Sequence, residues 1–241
     1  RELMQELGFR SSVDGAQDHD IILRAVDRMM GEDRHAAGKA KLPIAHIPKV
    51  LYHWRCYEGS TSENPESKRY AYEAGKRAVE DFLKAREYQA DVVHTCHLGF
   101  FRVNYQPDLL SNRPDTAVVG GKLIDRHNRV VGGIYNENRE PLYLGLHKEY
   151  SGYMHRASCQ QEAYAVDVRC MICSEEAQTV WEELTGLPYV VQPHTGYFLY
   201  QDVLKKDADY EELSFKFCEE LRRRGKRIVW DPEMVQRVDG R

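Results

Sequence analysis

No stretch of this chain approaches the roughly 18 consecutive apolar residues that a membrane-spanning helix requires, so a transmembrane segment is not expected. The opening residues, RELMQELGFR, are charged and lack the apolar centre of a secretory leader. The expectation is therefore a cytoplasmic chain, or a piece of a larger protein. Positive charge is not in excess either: 34 Lys and Arg face 38 Asp and Glu, for a net charge of -4. That balance removes the electrostatic footprint of nucleic-acid binding. The single basic cluster, RRRGKR at 222–227, is expected to be a solvated helix end, where cations favour the negative pole of the helix dipole.

Cysteine is sparse as well, with six in 241 residues, too few for a disulfide scaffold. Two spacings invite comparison with a zinc site: Cys170 with Cys173, and His94, Cys96 and His97. Zinc needs four converging ligands. The run AVDVRCMIC, however, predicts a buried strand, whose alternation sends positions 170 and 173 to opposite faces. Cysteine as a small buried hydrophobe is the better reading.

What the chain does contain is a 42% hydrophobic content, sufficient for a globular protein of one or two domains. Near its start lies GAQDHDIILR, residues 15–24, in which two aspartates bracket a histidine. Ile21, Ile22, Ala25, Val26, Met29 and Met30 recur at helical spacing, with Asp14 and Gly15 as a turn before them and Gly31 as a stop. Asp18 and Asp20 then fall at the first turn, where the helix dipole favours negative charge. Asp20 and Arg24 are i,i+4 partners, suited to a surface ion pair. For Asp18 the residues alone leave two roles open, a helix N-cap and a functional carboxylate.

Val50 to Arg55 is predicted as a strand, with Leu51, His53 and Arg55 on one face. A helix is expected from Lys68 to about Arg86, begun by Asn64-Pro65 and burying Ala71, Ala74, Ala78, Val79 and Phe82. Residues 92–103 are expected to form a strand, and 107–114 a linker. AVVGGKLID and RVVGGIY read as two strands joined by a turn at 126–128, with Gly-Gly pairs demanding an unusual backbone. Residues 137–162 are expected to be loop-rich. There Tyr143, Tyr150 and Tyr153, with Tyr164 just beyond, suit either packing or stacking on sugar rings. Ser174 is placed to cap a helix over SEEAQTVWEEL, and Tyr210, Leu213, Phe217 and Leu221 mark another that ends at Gly225 and precedes the strand RIVWDP. Helix then proline-bearing strand occurs twice, once near each end, which suggests two related units.

GFRSSVDGAQDHDIILR followed by IPKVLYHWRCYEGSTSENPESKRYAYEAGKRAVEDFL resembles bacterial family 2 glycosyltransferases of the GT-A fold, in particular tandem polysaccharide glycosyltransferases. The likeness covers residues 8–86. A looser one covers GGKLIDRHNRVVGGIY and RRRGKRIVWDP, which resemble the later part of a second such domain. The resemblance implies an α/β fold with a partial GT-A-like (Rossmann-like) mixed sheet and flanking helices, made of two related acceptor-side half-units. Residues 1–90 would be the C-terminal part of a first domain, 91–115 a connecting strand and linker, and 116–241 the C-terminal part of a second, degenerate domain. It further implies transfer of a sugar, with inversion, from a nucleotide-sugar donor to a growing cell-surface glycan acceptor, and peripheral membrane association through the parent protein.

In that reading Asp18 is the general base that takes the proton of the attacking hydroxyl. Asp20 orients the helix or pairs with Arg24, and His53 and Arg55 reach the diphosphate or metal. Such enzymes hold Mg or Mn through an Asp-x-Asp after an apolar strand, and this chain lacks that motif. Asp125 is followed by Arg126-His127, and Asp167 by Val168-Arg169. In the second unit the positions matching the base read Ser214, Phe215 and Lys216. The missing donor half and base leave an alternative for the isolated chain, a non-catalytic module that binds acceptor glycan or a partner subunit.

Overall fold

The computed structural model describes residues 2–30, 44–53 and 69–238, and divides them into two compact units at Asp108 and Leu109. The chain is mixed α/β, with a curled mixed sheet and flanking helices.

The first unit opens with α1 (Glu2–Leu7), a 3-10 turn at Ser11–Val13, and α2 (Gln17–Met30). After residues 44–53 come α3 (Arg69–Ala85), β1 (Ala90–His94) and β2 (Phe101–Tyr105). The predicted helices are present at both places. Gly15, at φ +91, lies so close to Tyr70 and Ala71 that a Cβ there would sit 2.8 Å from the Tyr70 ring. Its positive φ and this approach both require glycine. The small core is Val13, Ala16, Ala74 and Ala78, with Leu23 packed on it. Residues this small let α2 and α3 approach closely. Ala74 and Ala78 are buried as predicted, Ala71, Val79 and Phe82 only partly, and Gly75 and Leu83 join the buried face. At the far end the Nε of buried Arg86 donates to Asp27 at 2.6 Å, fastening α3 to α2.

Two strand predictions fail in this unit. Residues 92–103 do not form one strand. They are split between β1 and β2, an antiparallel hairpin in which Ala90 faces Tyr105 and His94 faces Phe101. Gly99 turns the chain with φ +82. Residues 50–53 form no strand, and Val50, Leu51 and Tyr52 are 77%, 70% and 78% exposed. A strand needs a neighbour for its N–H and C=O groups, and among the described residues none lies beside this one. The rest of that prediction, Trp54 and Arg55, lies outside the described residues, as do Gly31, Asn64, Pro65 and Lys68.

The second unit is built on β3 (Thr116–Ile124), all nine residues of which are buried. The short α4 (Leu109–Asn112) precedes it, and β4 (Val130–Gly132) returns antiparallel through the predicted turn. Then follow β5 (Ile134–Tyr135), a 3-10 turn at Tyr153–Ser158, β6 (Gln161–Glu162), β7 (Ala165–Val166) and β8 (Met171–Cys173). The unit closes with α5 (Glu175–Thr185), α6 (Tyr200–Val203), α7 (Tyr210–Arg223) and β9 (Arg227–Arg237). The sheet order is β4-β3-β9-β6, with β8 also on β3, while β5 pairs with β7 apart from it. Only the β3–β9 pair is parallel. A parallel pair needs a long crossover, here the whole segment between them.

Both helix caps follow from local chemistry. Ser174 Oγ accepts from Ala177 N at 3.2 Å, and an Asp209 carboxylate oxygen accepts from Glu212 N at 3.0 Å. Gly186 and Gly225, at φ +68 and +79, end the two helices. The core holds Trp181, Phe198, Phe215, Phe217 and Trp230. Edge-on ring pairs such as Trp181–Phe217 at 5.5 Å knit α5 to α7.

Three further expectations are corrected here. AVDVRCMIC is not one strand, because a turn at 168–170 separates β7 from β8. Cys170 and Cys173 are therefore both buried, and burial pushes both thiols upward in pKa, away from the thiolate a metal needs. The first Gly-Gly pair is required by crowding rather than by backbone conformation. A Cβ on Gly120 would lie 2.3 Å from the Val166 side chain, and only Gly133 of the second pair has a positive φ, +120. The expected echo of helix then strand is not seen among the described residues: α7 feeds a central sheet strand, whereas residues 44–53, which come next after α2, pair with no described residue.

Candidate functional site

Ala16 C=O accepts the first bond of α2, from Asp20 N at 3.0 Å. Asp18 therefore lies inside the first turn and is not the cap. Its side chain is exposed, and the one hydrogen bond it accepts comes from the neighbouring His19 N at 2.9 Å. Asp20, two residues on, has the opposite character. It is 1% exposed and held between Arg10 and Arg24, whose Nε donates to it at 2.8 Å. The predicted Asp20–Arg24 pair forms, but with its carboxylate buried rather than on the surface.

Burial acts to raise the Asp20 pKa, and the hydrogen bonds from Arg10 and Arg24 outweigh it, holding the carboxyl below its ordinary range. Arg24 also donates to the carbonyls of Leu7 and Gly8 at 2.7 and 2.8 Å, capping the end of α1. Arg10 continues to Asp81 on α3 at 2.8 Å. One buried carboxylate thus ties α1, α2 and α3 at the turn that displays Asp18. Arg10 had no signal in the sequence, since it lies ten positions before Asp20 and outside helix α2.

Beside this turn His19 lies parallel to Phe101, with ring centroids 6.3 Å apart. His94, at 5.4 Å from the same ring, shares a hydrogen bond with Glu73 at 2.9 Å. His53 is exposed in the extended run and makes no hydrogen bond or ion pair with any described residue, so it is not brought to α2. Arg55 lies outside the described residues.

In the second unit the matching turn of α7 is occupied differently. Ser214 is fully buried. Its hydroxyl donates to Tyr210 O at 2.6 Å and accepts from Val168 N at 3.0 Å, leaving it a structural tie. Phe215 is buried against Tyr135, and Lys216 is exposed beside Glu212. The aspartates that open the two broken Asp-x-Asp runs are both engaged by neighbouring groups, Asp125 through one oxygen and Asp167 through both. Asp125 accepts from the backbone of His127 and Arg129, which lowers its pKa. Asp167 is buried, with Arg169 donating twice, at 2.9 and 2.8 Å, and the Tyr135 hydroxyl donating at 3.1 Å. Among the described residues no three His, Cys, Asp or Glu side chains are grouped to hold a metal ion.

Of the four tyrosines, Tyr143 donates its hydroxyl to Gln161 and packs on Trp230, and Tyr164 sits under Arg222. Tyr150 and Tyr153 are 60% and 84% exposed. A cleft of about 420 Å³ is lined by Tyr135, Asn136, Leu142, Gln161, Tyr164 and Arg222, among others. Asn136, Gln161 and Tyr164 spend their polar groups on neighbouring protein groups. The cationic cluster at 222–227 is likewise paired: Arg222, Arg223, Arg224, Lys226 and Arg227 each meet a carboxylate. No helix among the described residues is long and apolar enough to cross a membrane.

Compared with known proteins, the chain matches no family profile and no solved structure. It is similar to an uncharacterized protein, y4gI, of Sinorhizobium fredii, with 44% identity over 82 residues. That match covers 34% of this chain and 8% of the other protein.

Proposed function

We propose that the first unit is the base-bearing, acceptor-side part of a GT-A family 2 glycosyltransferase that extends a cell-surface polysaccharide. The observation that supports this most directly is the contrast between two aspartates two residues apart on α2. Asp20 is consumed in a buried double ion pair, whereas Asp18 is exposed and free of any cation among the described residues. A carboxylate fixed on a helix but open to solvent can accept the proton of an acceptor hydroxyl as that oxygen attacks the anomeric carbon. Its place in GAQDHDIILR coincides with the resemblance to the family. Nucleotide-sugar and metal binding then fall to a donor half outside these residues.

For the second unit a different reading is favoured by Ser214, whose hydroxyl is spent on two backbone groups. With no base at that turn, the unit acts as a glycan-binding or subunit-interaction module.

The test has two arms. Calorimetric titration of the chain with nucleoside diphosphates and Mn²⁺ should give no heat, while a glycan array should show saturable binding. Nucleotide binding that Asp18→Ala abolishes would overturn the assignment of the donor site elsewhere. In the natural gene product, Asp18→Asn should slow sugar transfer by roughly 10²–10⁴-fold, the contribution of a general base. Undiminished transfer rules out Asp18.

A further inference from the structure

At one end of the second unit's sheet, the C-terminal ends of the parallel strands β3 and β9 meet a loop. The turn after β3 carries Arg126, His127 and Arg129, and β9 ends at Arg237. The segment 145–148 runs antiparallel to 128–130: Val130 N donates to Leu146 O, and Lys148 N to Asn128 O, both at 2.8 Å. This ladder sets His147 and Lys148 beside the turn. Four cations, Arg126, Arg129, Lys148 and Arg237, are thereby gathered at one edge.

None of the four is in an ion pair among the described residues. Arg126 donates to His127, Arg129 to Gly145 O, and Arg237 to Asp125 O and to the Asn128 side chain. These acceptors are neutral and hold the guanidiniums in place, and of the nearby carboxylates Asp125 offsets part of the charge of Arg129. Two carboxylates are near in sequence: Asp125 caps two backbone amides through one oxygen, and Glu149 is exposed beside Lys148 without an ion pair to it. The arrangement is the reverse of the α7 end, where every cation meets a carboxylate. In a chain of net charge -4, an edge where four cations outnumber two carboxylates is a local departure from the average.

The same loop exposes apolar surface. Leu144 is 50% exposed, Tyr150 60%, Tyr153 84% and Met154 59%. It is a built loop rather than a loose one. Tyr143, Met154 and His155 are held at φ +64, +52 and +56, a conformation that costs non-glycine residues energy. Ala157 N closes it onto Ser151 O at 2.8 Å, and Lys122 Nζ anchors Lys148 O from the buried strand at 2.6 Å.

We infer that this edge docks on an anionic phospholipid bilayer, with the four cations at the headgroups and the tyrosines, Leu144 and Met154 at the acyl boundary. Unpaired cations beside exposed aromatic and aliphatic side chains match the charge and the polarity gradient of that surface. The inference does not depend on the glycosyltransferase reading.

Sedimentation with vesicles of equimolar phosphatidylcholine and phosphatidylglycerol, against pure phosphatidylcholine, tests it. The chain should pellet with the anionic vesicles and be released as salt shortens the Debye length. Each unit of charge near such a surface changes partitioning about fivefold, so Arg126→Glu and Lys148→Glu should each weaken binding about thirtyfold. Lys216→Glu, an equal reversal at an exposed site on α7, should leave binding unchanged, and all three variants should melt as the parent does. Tyr153→Ser should weaken binding severalfold with the salt dependence kept. Equal binding to both vesicles, equal losses for Arg126→Glu and Lys216→Glu, or full competition by inorganic phosphate at constant ionic strength would each overturn the proposal.

Discussion

Replacing Asp20 by Asn removes the charge that holds three helices together while keeping the side chain's size. Breaking a buried ion pair on one side costs roughly 3–5 kcal/mol where both partners are buried. The Arg10 and Arg24 side chains keep 33% and 23% of their exposure, so water recovers part of that and about 2–3 kcal/mol is expected. Asp18→Asn, two residues away, removes an exposed carboxylate bonded to its neighbour's N–H, and should stay within about 0.5 kcal/mol.

The assay is hydrogen exchange read amide by amide. In Asp20→Asn the α2 amides should exchange roughly thirty- to hundredfold faster, which is that energy at tenfold per 1.4 kcal/mol. Those of β3 serve as the internal reference. The folded pKa of Asp20 is depressed, so its stabilisation is fully present above the unfolded value near 3.9 and is lost as pH falls through the folded one. The parent should therefore lose α2 protection in acid below that value, and Asp20→Asn should lack this component. If Asp18→Asn and Asp20→Asn loosen α2 equally, the anchoring argument is wrong.

Gly120→Ala should destabilise the second unit by about 1–3 kcal/mol or more, because its Cβ would meet Val166 at 2.3 Å. A parent-like denaturation midpoint would contradict that. Ser214→Ala should cost about 1–3 kcal/mol by leaving Val168 N buried without an acceptor, and chemical denaturation measures it. Cys218, buried with its thiol pushed up to about 12, should resist iodoacetamide in the native chain at pH 8, whereas exposed Cys96 should react. Peptide mass spectrometry separates the two, and rapid labelling of Cys218 would mean the α7 interface opens.

The sequence by itself determined the helices. Apolar periodicity, Ser174 as a cap and Gly225 as a stop act within one or two turns, so α2, α3, α5 and α7 were legible before any packing was known. The β3–β4 hairpin was legible for the same reason, its turn chemistry being local. Asp18 could be singled out by its motif and Asp20 joined to Arg24 by spacing.

The tertiary structure decided what depends on a distant partner. Whether an apolar run becomes a strand depends on a neighbour for its backbone. Residues 50–53 and the run 165–173 carry the same signal, yet the first pairs with nothing among the described residues and the second is broken by a turn. Arg10, ten residues from Asp20, made that aspartate a buried anchor and left Asp18 as the exposed one. Val166, closing over Gly120, explains a glycine whose backbone needed none. Short-range capping and periodicity are written along the chain, whereas burial and ion pairing are set by residues that meet only after folding.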